Sequence, residues 1–203
     1  MRVVILGAGV SGHTAALRLR RELGREHEVL VVTPNRRWNW IPSNIWVGVG
    51  SMTPEQVTFD LPPIYARAGI SYVQAKAVAI HPEGDAERGP YVVVESTAPA
   101  SDGERQVIGY DYLINATGPR LMFEATPGLG PDGHTVSVCT AGHATQAAER
   151  LAATIARLKA GERQTLVVGT GHGTCTCQGA AFEYLFNVEF ELRRHGVREL
   201  ARL

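Results

Sequence analysis

Arg2-Val3-Val4-Ile5-Leu6-Gly7-Ala8-Gly9-Val10-Ser11-Gly12 decides the fold. Val3 to Leu6 is an all-apolar run rich in β-branched residues, the signature of a strand buried on both faces in a parallel sheet. Three glycines at positions 7, 9 and 12 follow without a spacer. Ala15, Ala16, Leu17, Leu19 and Leu23 then recur at helical spacing up to Gly24, where a helix stop is expected. Glu28 to Thr33 (EVLVVT) is a second buried strand, which completes a β-α-β unit of about 30 residues. In such a unit each glycine has its own job. The first makes the tight turn after the strand, the second lets backbone approach a pyrophosphate, and the third lets helix and strand pack closely. The phosphates then rest on free N–H groups at the positive end of the helix. Gly7-x-Gly9-x-x-Gly12 is a weak pattern alone; between this strand and this helix it specifies a dinucleotide.

Beyond this unit the periodicity breaks. Pro34 to Pro63 holds three tryptophans (Trp38, Trp40 and Trp46) among Asn, Pro and Gly, and reads as one long functional connection. Ile64 to Gly69 reads as a helix end. Ser71 to Ile80, Tyr91 to Ser96 and Tyr110 to Asn115 read as strands, with polar turns at Pro82 to Gly89 and Ala98 to Arg105. Thr145 to Leu158 reads as a helix. Thr165 to Val168, a glycine-rich turn over residues 169–173 and a helix from Gln178 to His195 then echo the opening. One strand and one helix make no complete sheet domain. The expected organisation is a Rossmann-like domain over residues 1–160 with inserted strands, and over 164–203 the start of a second dinucleotide-like unit, incomplete, as in the N-terminal portion of a longer protein.

Composition narrows the class. Of 203 residues, 44% are hydrophobic and 20% charged, as in an ordinary globular protein. Lys plus Arg equal Asp plus Glu at 20 each, so no net field points to nucleic acid. Three cysteines are too few for a disulfide scaffold. No apolar run reaches the roughly 20 residues of a membrane span. A strand beginning at Arg2 leaves no room for a signal peptide, so a cytoplasmic location is expected.

The acidic residue that usually holds a ribose about 20 positions after the glycines is absent. Thr33 or Asn35 is its candidate replacement, and Arg36 and Arg37 are either contacts to a 2′-phosphate or a solvated pair. Ala116-Thr117-Gly118, after the strand YDYLIN, is a small-residue turn that lets backbone pass close to a ligand. It looks like the turn by which flavoproteins with two dinucleotide folds return to FAD, and this moves the expected cofactor from NAD to FAD. The FAD-site candidates are Gly7, Ala8, Gly9, Val10, Ser11, Gly12, Thr33, Asn35, Pro42, Ser43, Asn44, Lys76, Ala77, Ala116, Thr117 and Gly118. The rigid aromatic stretch Trp38 to Asn44 would give the flavin an apolar wall.

Cys139 precedes a helical pattern whose N-cap is Thr140. Cys177 stands at the start of the helix after the second glycine turn. Helix N-termini favour the reactive thiolate, so both positions suit redox or sulfur chemistry; the competing reading is two small buried hydrophobes. Cys175 reads as a secondary thiol. His143, His172 and His195 have no zinc spacing with the cysteines, so no metal is expected. His13, in the first turn of the first helix, is either a pyrophosphate neighbour or simply exposed.

Five stretches together resemble the sulfide:quinone oxidoreductases, FAD proteins related to the flavoprotein subunit of flavocytochrome c sulfide dehydrogenase. They are VVILGAGVSGHTAALRLR near the start, IPSNIWVGVG at 41–50, YDYLINATGPRLMFE at 110–124, SVCTAGHA at 137–144 and GTCTCQGAAFEY at 173–184. The likeness runs over nearly the whole chain. It implies a Rossmann-like FAD-binding α/β fold in which Cys139 takes the first and Cys177 the second of three sulfur-handling cysteine positions, with Cys175 competing for the second. It implies sulfide and quinone as substrates and an oxidoreductase that passes an electron pair from sulfide sulfur through FAD to quinone. The third cysteine, the rest of the second domain and the helices that dock peripherally on the inner membrane would fall beyond residue 203. The chain alone is then expected to be inactive, and homo-oligomerisation stays open. A disulfide reductase of the same fold would carry paired cysteines in residues 34–63, which hold none; a type II NADH:quinone dehydrogenase would leave Cys139 and Cys177 idle. A non-catalytic nucleotide-binding fragment is the third reading.

Overall fold

The computed structural model describes every residue except Thr174 and Thr176. It comprises two compact units, Met1–Trp38 with Phe59–Arg120, and Asn39–Thr58 with Leu121–Leu203.

The first unit carries the parallel sheet. β1 (Arg2–Leu6), α1 (Val10–Glu22) and β2 (Glu28–Thr33) form the expected β-α-β unit. β1 pairs in parallel with β2 on one side and, on the other, with a later strand spanning Tyr112–Asn115. Burial explains why β1 and β2 are apolar at successive positions. Val4, Leu6, Leu30 and Val32 enter one core cluster, and Ile5, Val29 and Val31 enter the other. α1 ends after Glu22, where the Arg20 guanidinium donates to the carbonyls of Leu23, Gly24 and His27 and satisfies the chain end that the helix leaves open.

The expected irregular connection over residues 34–63 is instead built from short elements. These are β3 (Arg37–Asn39), a 3₁₀ turn at Ile41–Ser43, α2 (Asn44–Val47), α3 (Pro54–Val57), β4 (Thr58–Asp60) and the first residues of α4 (Leu61–Ala68). Four-residue helices are too short to show a hydrophobic period. α3 is held by its ends, with Thr53 and Gln56 forming a reciprocal capping box. α4 closes on Gly69 at φ 72°, the left-handed conformation glycine adopts without penalty.

β5 (Ser71–His81) runs parallel to β2 over its first residues and then pairs antiparallel with β6 (Tyr91–Ser96). β7 (Arg105–Gly109) continues the sheet; it was not expected from the sequence, because only Ile108 of its five residues is buried. β8 (Tyr112–Asn115) completes the order β7-β6-β5-β2-β1-β8. The expected strand from Tyr110 begins two residues later.

In the second unit α5 (Ala141–Lys159) is longer than expected and starts at the anticipated cap, Thr140, whose hydroxyl accepts from the His143 N–H. The strand expected over Thr165 to Val168 shrinks to β9 (Gln164–Thr165), and Val167 is 91% exposed. The reason is pairing: β9 has one neighbour, β10 (Ala201–Arg202), in a parallel ladder of two residue pairs. Between them lies α6 (Gln178–Arg194). The unit thus holds a minimal β-α-β arrangement, where the sequence suggested one strand and one helix. Its packing groups residues 121–160 with 164–203, while the expected division into domains 1–160 and 164–203 stays a proposal. Among the described residues, no helix is long and apolar enough to cross a membrane.

Candidate functional site

In the first unit the glycine turn lies at the carboxyl ends of β1, β2 and β8. Gly7 has φ 92°, and its N–H donates to the Val32 carbonyl at 2.7 Å. A Cβ on Gly7 would lie 2.7 Å from the Ala116 carbonyl carbon and closer still to its oxygen. A Cβ on Gly12 would lie 3.0 Å from the Gly7 carbonyl carbon, again with the oxygen nearer. Both positions are therefore closed by the protein's own backbone. Gly9 differs: it caps α1 at φ −66°, a conformation open to any residue, and a Cβ there meets nothing within 4 Å. Packing and backbone thus demand glycine at 7 and 12, whereas at 9 they require only a residue suited to a helix cap. The open space over Gly9 leaves room for a pyrophosphate at the helix start, so this cradle fits a dinucleotide. Ala8 is buried beneath the turn, while Val10 and Ser11 lie exposed at its mouth.

The Ala116-Thr117-Gly118 turn crosses directly over Gly7. The Ala116 N–H donates to the Leu6 carbonyl at 2.8 Å, and Gly118 takes φ 74°. Asn115 shapes it: its side-chain oxygen accepts from the Thr117 hydroxyl at 2.9 Å and from the Thr117 N–H at 3.3 Å. Asn115 was not among the expected site residues, although an Asn two residues before a Thr at a strand end is a turn signal.

The remaining expected contacts are scattered in character. Thr33 is buried at the end of β2, and Asn35 is exposed with its carbonyl accepting from the Tyr72 hydroxyl at 3.3 Å. Arg36 and Arg37 both face Asp60, at 3.5 and 3.8 Å, which supports the solvated-pair reading. Lys76 is exposed and pairs with Glu95 at 2.6 Å, and Ala77 sits where the β5–β6 register shifts. His13 is not simply exposed. It is half-buried against the rings of Trp38, Phe59 and Tyr65, with its Nδ1 3.1 Å from the Tyr65 hydroxyl. Burial holds its pKa below the ordinary histidine value, and burial pushes that of Tyr65 up.

In the second unit Pro42 is exposed, Ser43 half-buried and Asn44 fully buried. Asn39 and Asn44 exchange side-chain amide hydrogen bonds of 2.9 and 3.0 Å, so the Asn44 amide is engaged by protein. The three cysteines are exposed free thiols, which removes the reading of small buried hydrophobes. Cys139 directly precedes the N-cap of α5, and its N–H donates to the Ser137 hydroxyl at 3.0 Å. Cys177 is itself the N-cap of α6. Cys175 lies in the preceding turn, with its N–H on the His172 carbonyl at 3.1 Å.

A parallel sheet in the order β5-β2-β1-β8, with a glycine turn and a helix start at its carboxyl edge, defines a Rossmann-like dinucleotide-binding domain. The chain belongs to the pyridine nucleotide-disulphide oxidoreductase family, whose model matches residues 1–192. Within that family it is similar to the sulfide-quinone reductase of Aquifex aeolicus, with 28% identity over 196 residues, 97% of this chain and 40% of that protein. The X-ray structure of the sulfide:quinone oxidoreductase from that hyperthermophilic bacterium superposes with a TM-score of 0.78 at 25% identity, covering 98% of this chain and 41% of that one. The resemblance read from the motifs is thus borne out. NDH2 from Plasmodium falciparum in complex with NADH shares the fold, with a TM-score of 0.66 at 15% identity over 98% of this chain and 40% of that one. The chain spans about 40% of the length of the relatives it matches.

Proposed function

We propose that this chain holds FAD through the Gly7–Gly12 turn and the Ala116–Gly118 turn, and that Cys139 and Cys177 are the sulfur-handling thiols of a sulfide:quinone oxidoreductase-type enzyme. The observation that carries the sulfur chemistry is the placing of the thiols. Both are exposed, both are free, and each stands at the start of a long helix in the same unit. The thiolate is the nucleophile, and an exposed free cysteine is open to sulfide. Joining sulfide sulfur to a cysteine is a two-electron oxidation: a thiolate plus hydrosulfide gives a persulfide anion, one proton and two electrons. FAD held by the two turns would supply the acceptor for that electron pair, with quinone as the proposed final acceptor. The chain's part is to seat the pyrophosphate on the α1 N–H groups and to present the thiols.

Gly7, Ala8, Gly9, Val10, Ser11 and Gly12 would line the pyrophosphate, Thr33 and Asn35 the ribose. Pro42, Ser43, Lys76, Ala77, Ala116, Thr117 and Gly118 remain proposed contacts, as does Asn44 through its backbone. Quinone docking, peripheral attachment to the inner membrane and self-association belong to the same proposal. The test is anaerobic addition of sulfide to the FAD-loaded chain. The expected result is loss of the flavin's visible band with one sulfur atom added at Cys139 or Cys177, detected by peptide mass. Bleaching by NADH with no response to sulfide would transfer the reading to the NADH dehydrogenases of this fold.

A further inference from the structure

Gly48 stands in α2's last turn at φ −64° and ψ −15°, ordinary helical values that any residue adopts. Its backbone gives no reason for glycine; its surroundings do. A Cβ there would lie 2.7 Å from Val138 Cγ1 and 2.9 Å from Tyr184 Cε2, where carbon contacts settle at about 3.5–4.0 Å. Val138 is the residue before Cys139. Tyr184 lies two turns into the helix that Cys177 caps, on the face where i and i+7 positions align.

The flanking residues point the same way. Val47 packs with Val138, Ala141 and Ala144 at the start of α5, whereas Val49 packs with Val188 and Leu192 of α6. Two polar contacts hold the arrangement on the α6 side. The Tyr184 hydroxyl donates to the Gly48 carbonyl at 3.0 Å, and the Ser51 hydroxyl donates to Glu191 at 3.4 Å. Burial pushes the Tyr184 pKa up to about 12, so the phenol keeps its proton and goes on donating.

We infer that Val47-Gly48-Val49 is the spacer that sets the distance between Cys139 and Cys177, with Gly48 the positioning residue. The absence of a side chain at 48 is what lets the Cys139 segment and α6 close on one another. The inference rests on the two-thiol reading above and adds the residue that governs it. A methyl group at this point must displace the Val138 side chain, the Tyr184 ring or the segments that carry them, and a shift of about 1 Å is of the size that costs reacting groups about a hundredfold in rate.

The test joins Cys139 to Cys177 in the intact 203-residue chain with dibromobimane, a short thiol crosslinker, and assigns the product by tandem mass spectrometry. Gly48→Ala should slow the crosslink by at least about tenfold. Gly48→Ala with Val138→Ala, which removes the nearer of the two contacts the methyl would meet, should restore a large part of the rate. An unchanged crosslinking rate in Gly48→Ala overturns the inference, as does a defect that Val138→Ala fails to rescue. If Gly48→Ala does not fold, the double variant decides: wild-type crosslinking supports the spacer, and a second failure to fold overturns it. If the wild-type chain forms no Cys139–Cys177 product with dibromobimane or with a series of longer bismaleimides, the two-thiol reading itself fails.

Discussion

Gly7, Gly9 and Gly12 share a motif but not a reason, and the difference separates binding from folding. Alanine at 7 or 12 drives a methyl group into backbone, which cannot give way as a flexible side chain would. Gly12→Ala should therefore lower stability by about 1–3 kcal/mol or more, the range for overpacking a closed site, visible as a lower thermal midpoint. Gly9→Ala meets open space, so its stability should fall by no more than the roughly 1 kcal/mol of a weakened helix cap while its affinity for FAD, followed by quenching of flavin fluorescence, falls at least about tenfold. Wild-type FAD affinity in Gly9→Ala would remove the pyrophosphate from this turn. His13 provides a second test at this scale. Its folded pKa lies below the ordinary value near 6.5 because burial disfavours the imidazolium, so the unfolded chain binds more protons as pH falls. Its contribution to stability is then full above pH of about 6.5 and declines from there down to the lowered folded pKa. His13→Gln should show a smaller drop in melting temperature between about pH 7.5 and about pH 5 than the wild type does. An identical drop would mean that acid sensitivity arises elsewhere.

At the scale of elements, what could be read from the sequence depended on whether the cause of an element lay inside it. β1, α1 and β2 declare themselves, since buried strands and an amphipathic helix carry their pattern locally. Thr140 declares α5 for the same reason, as a cap acts on the helix it begins. Thr140→Ala should cost about 1 kcal/mol in urea unfolding, the usual loss when a capping oxygen is removed. A cost near zero would show that the start of α5 beside Cys139 is fixed by packing alone. β7 was not legible because it takes part in the sheet with one buried residue, and its order comes from its neighbour β6. Thr165 to Val168 misled in the opposite way: an apolar, β-branched run becomes a strand only where another strand pairs with it, and β10 pairs with two residues. α2 and the contacts of Gly48 lay out of reach, because Val138 and Tyr184 are far away in sequence. The ring cage of His13, drawn from Trp38, Phe59 and Tyr65, was hidden for the same reason.

For the molecule as a whole, the two-unit organisation limits what the 203-residue chain should do on its own. Its first unit has a six-stranded sheet with both core faces filled, the support a glycine turn needs to hold a pyrophosphate. Its second unit holds α6 with Phe182, Phe186 and Phe190 about 60–67% exposed along one side, and a β9–β10 ladder of two residue pairs. Such a short ladder leaves the glycine turn that leads to Cys177 with little sheet to brace it, and the relatives that the chain matches are about two and a half times its length. Sulfide oxidation with quinone as acceptor needs the thiols, the flavin and the quinone held at contact distance together, an arrangement worth about 7–11 kcal/mol when complete. On the proposed reading, FAD uptake and a slow single sulfur transfer would need only the two turns and the two thiols, whereas repeated turnover would need that whole arrangement. Purified chain loaded with FAD should therefore reduce a short-chain ubiquinone with sulfide at least about a hundredfold more slowly than the Aquifex aeolicus relative under the same conditions. The cysteines should still take up sulfur in the single-turnover measurement. Turnover comparable to that relative would overturn the argument, because it would place a complete sulfide- and quinone-handling site within these 203 residues.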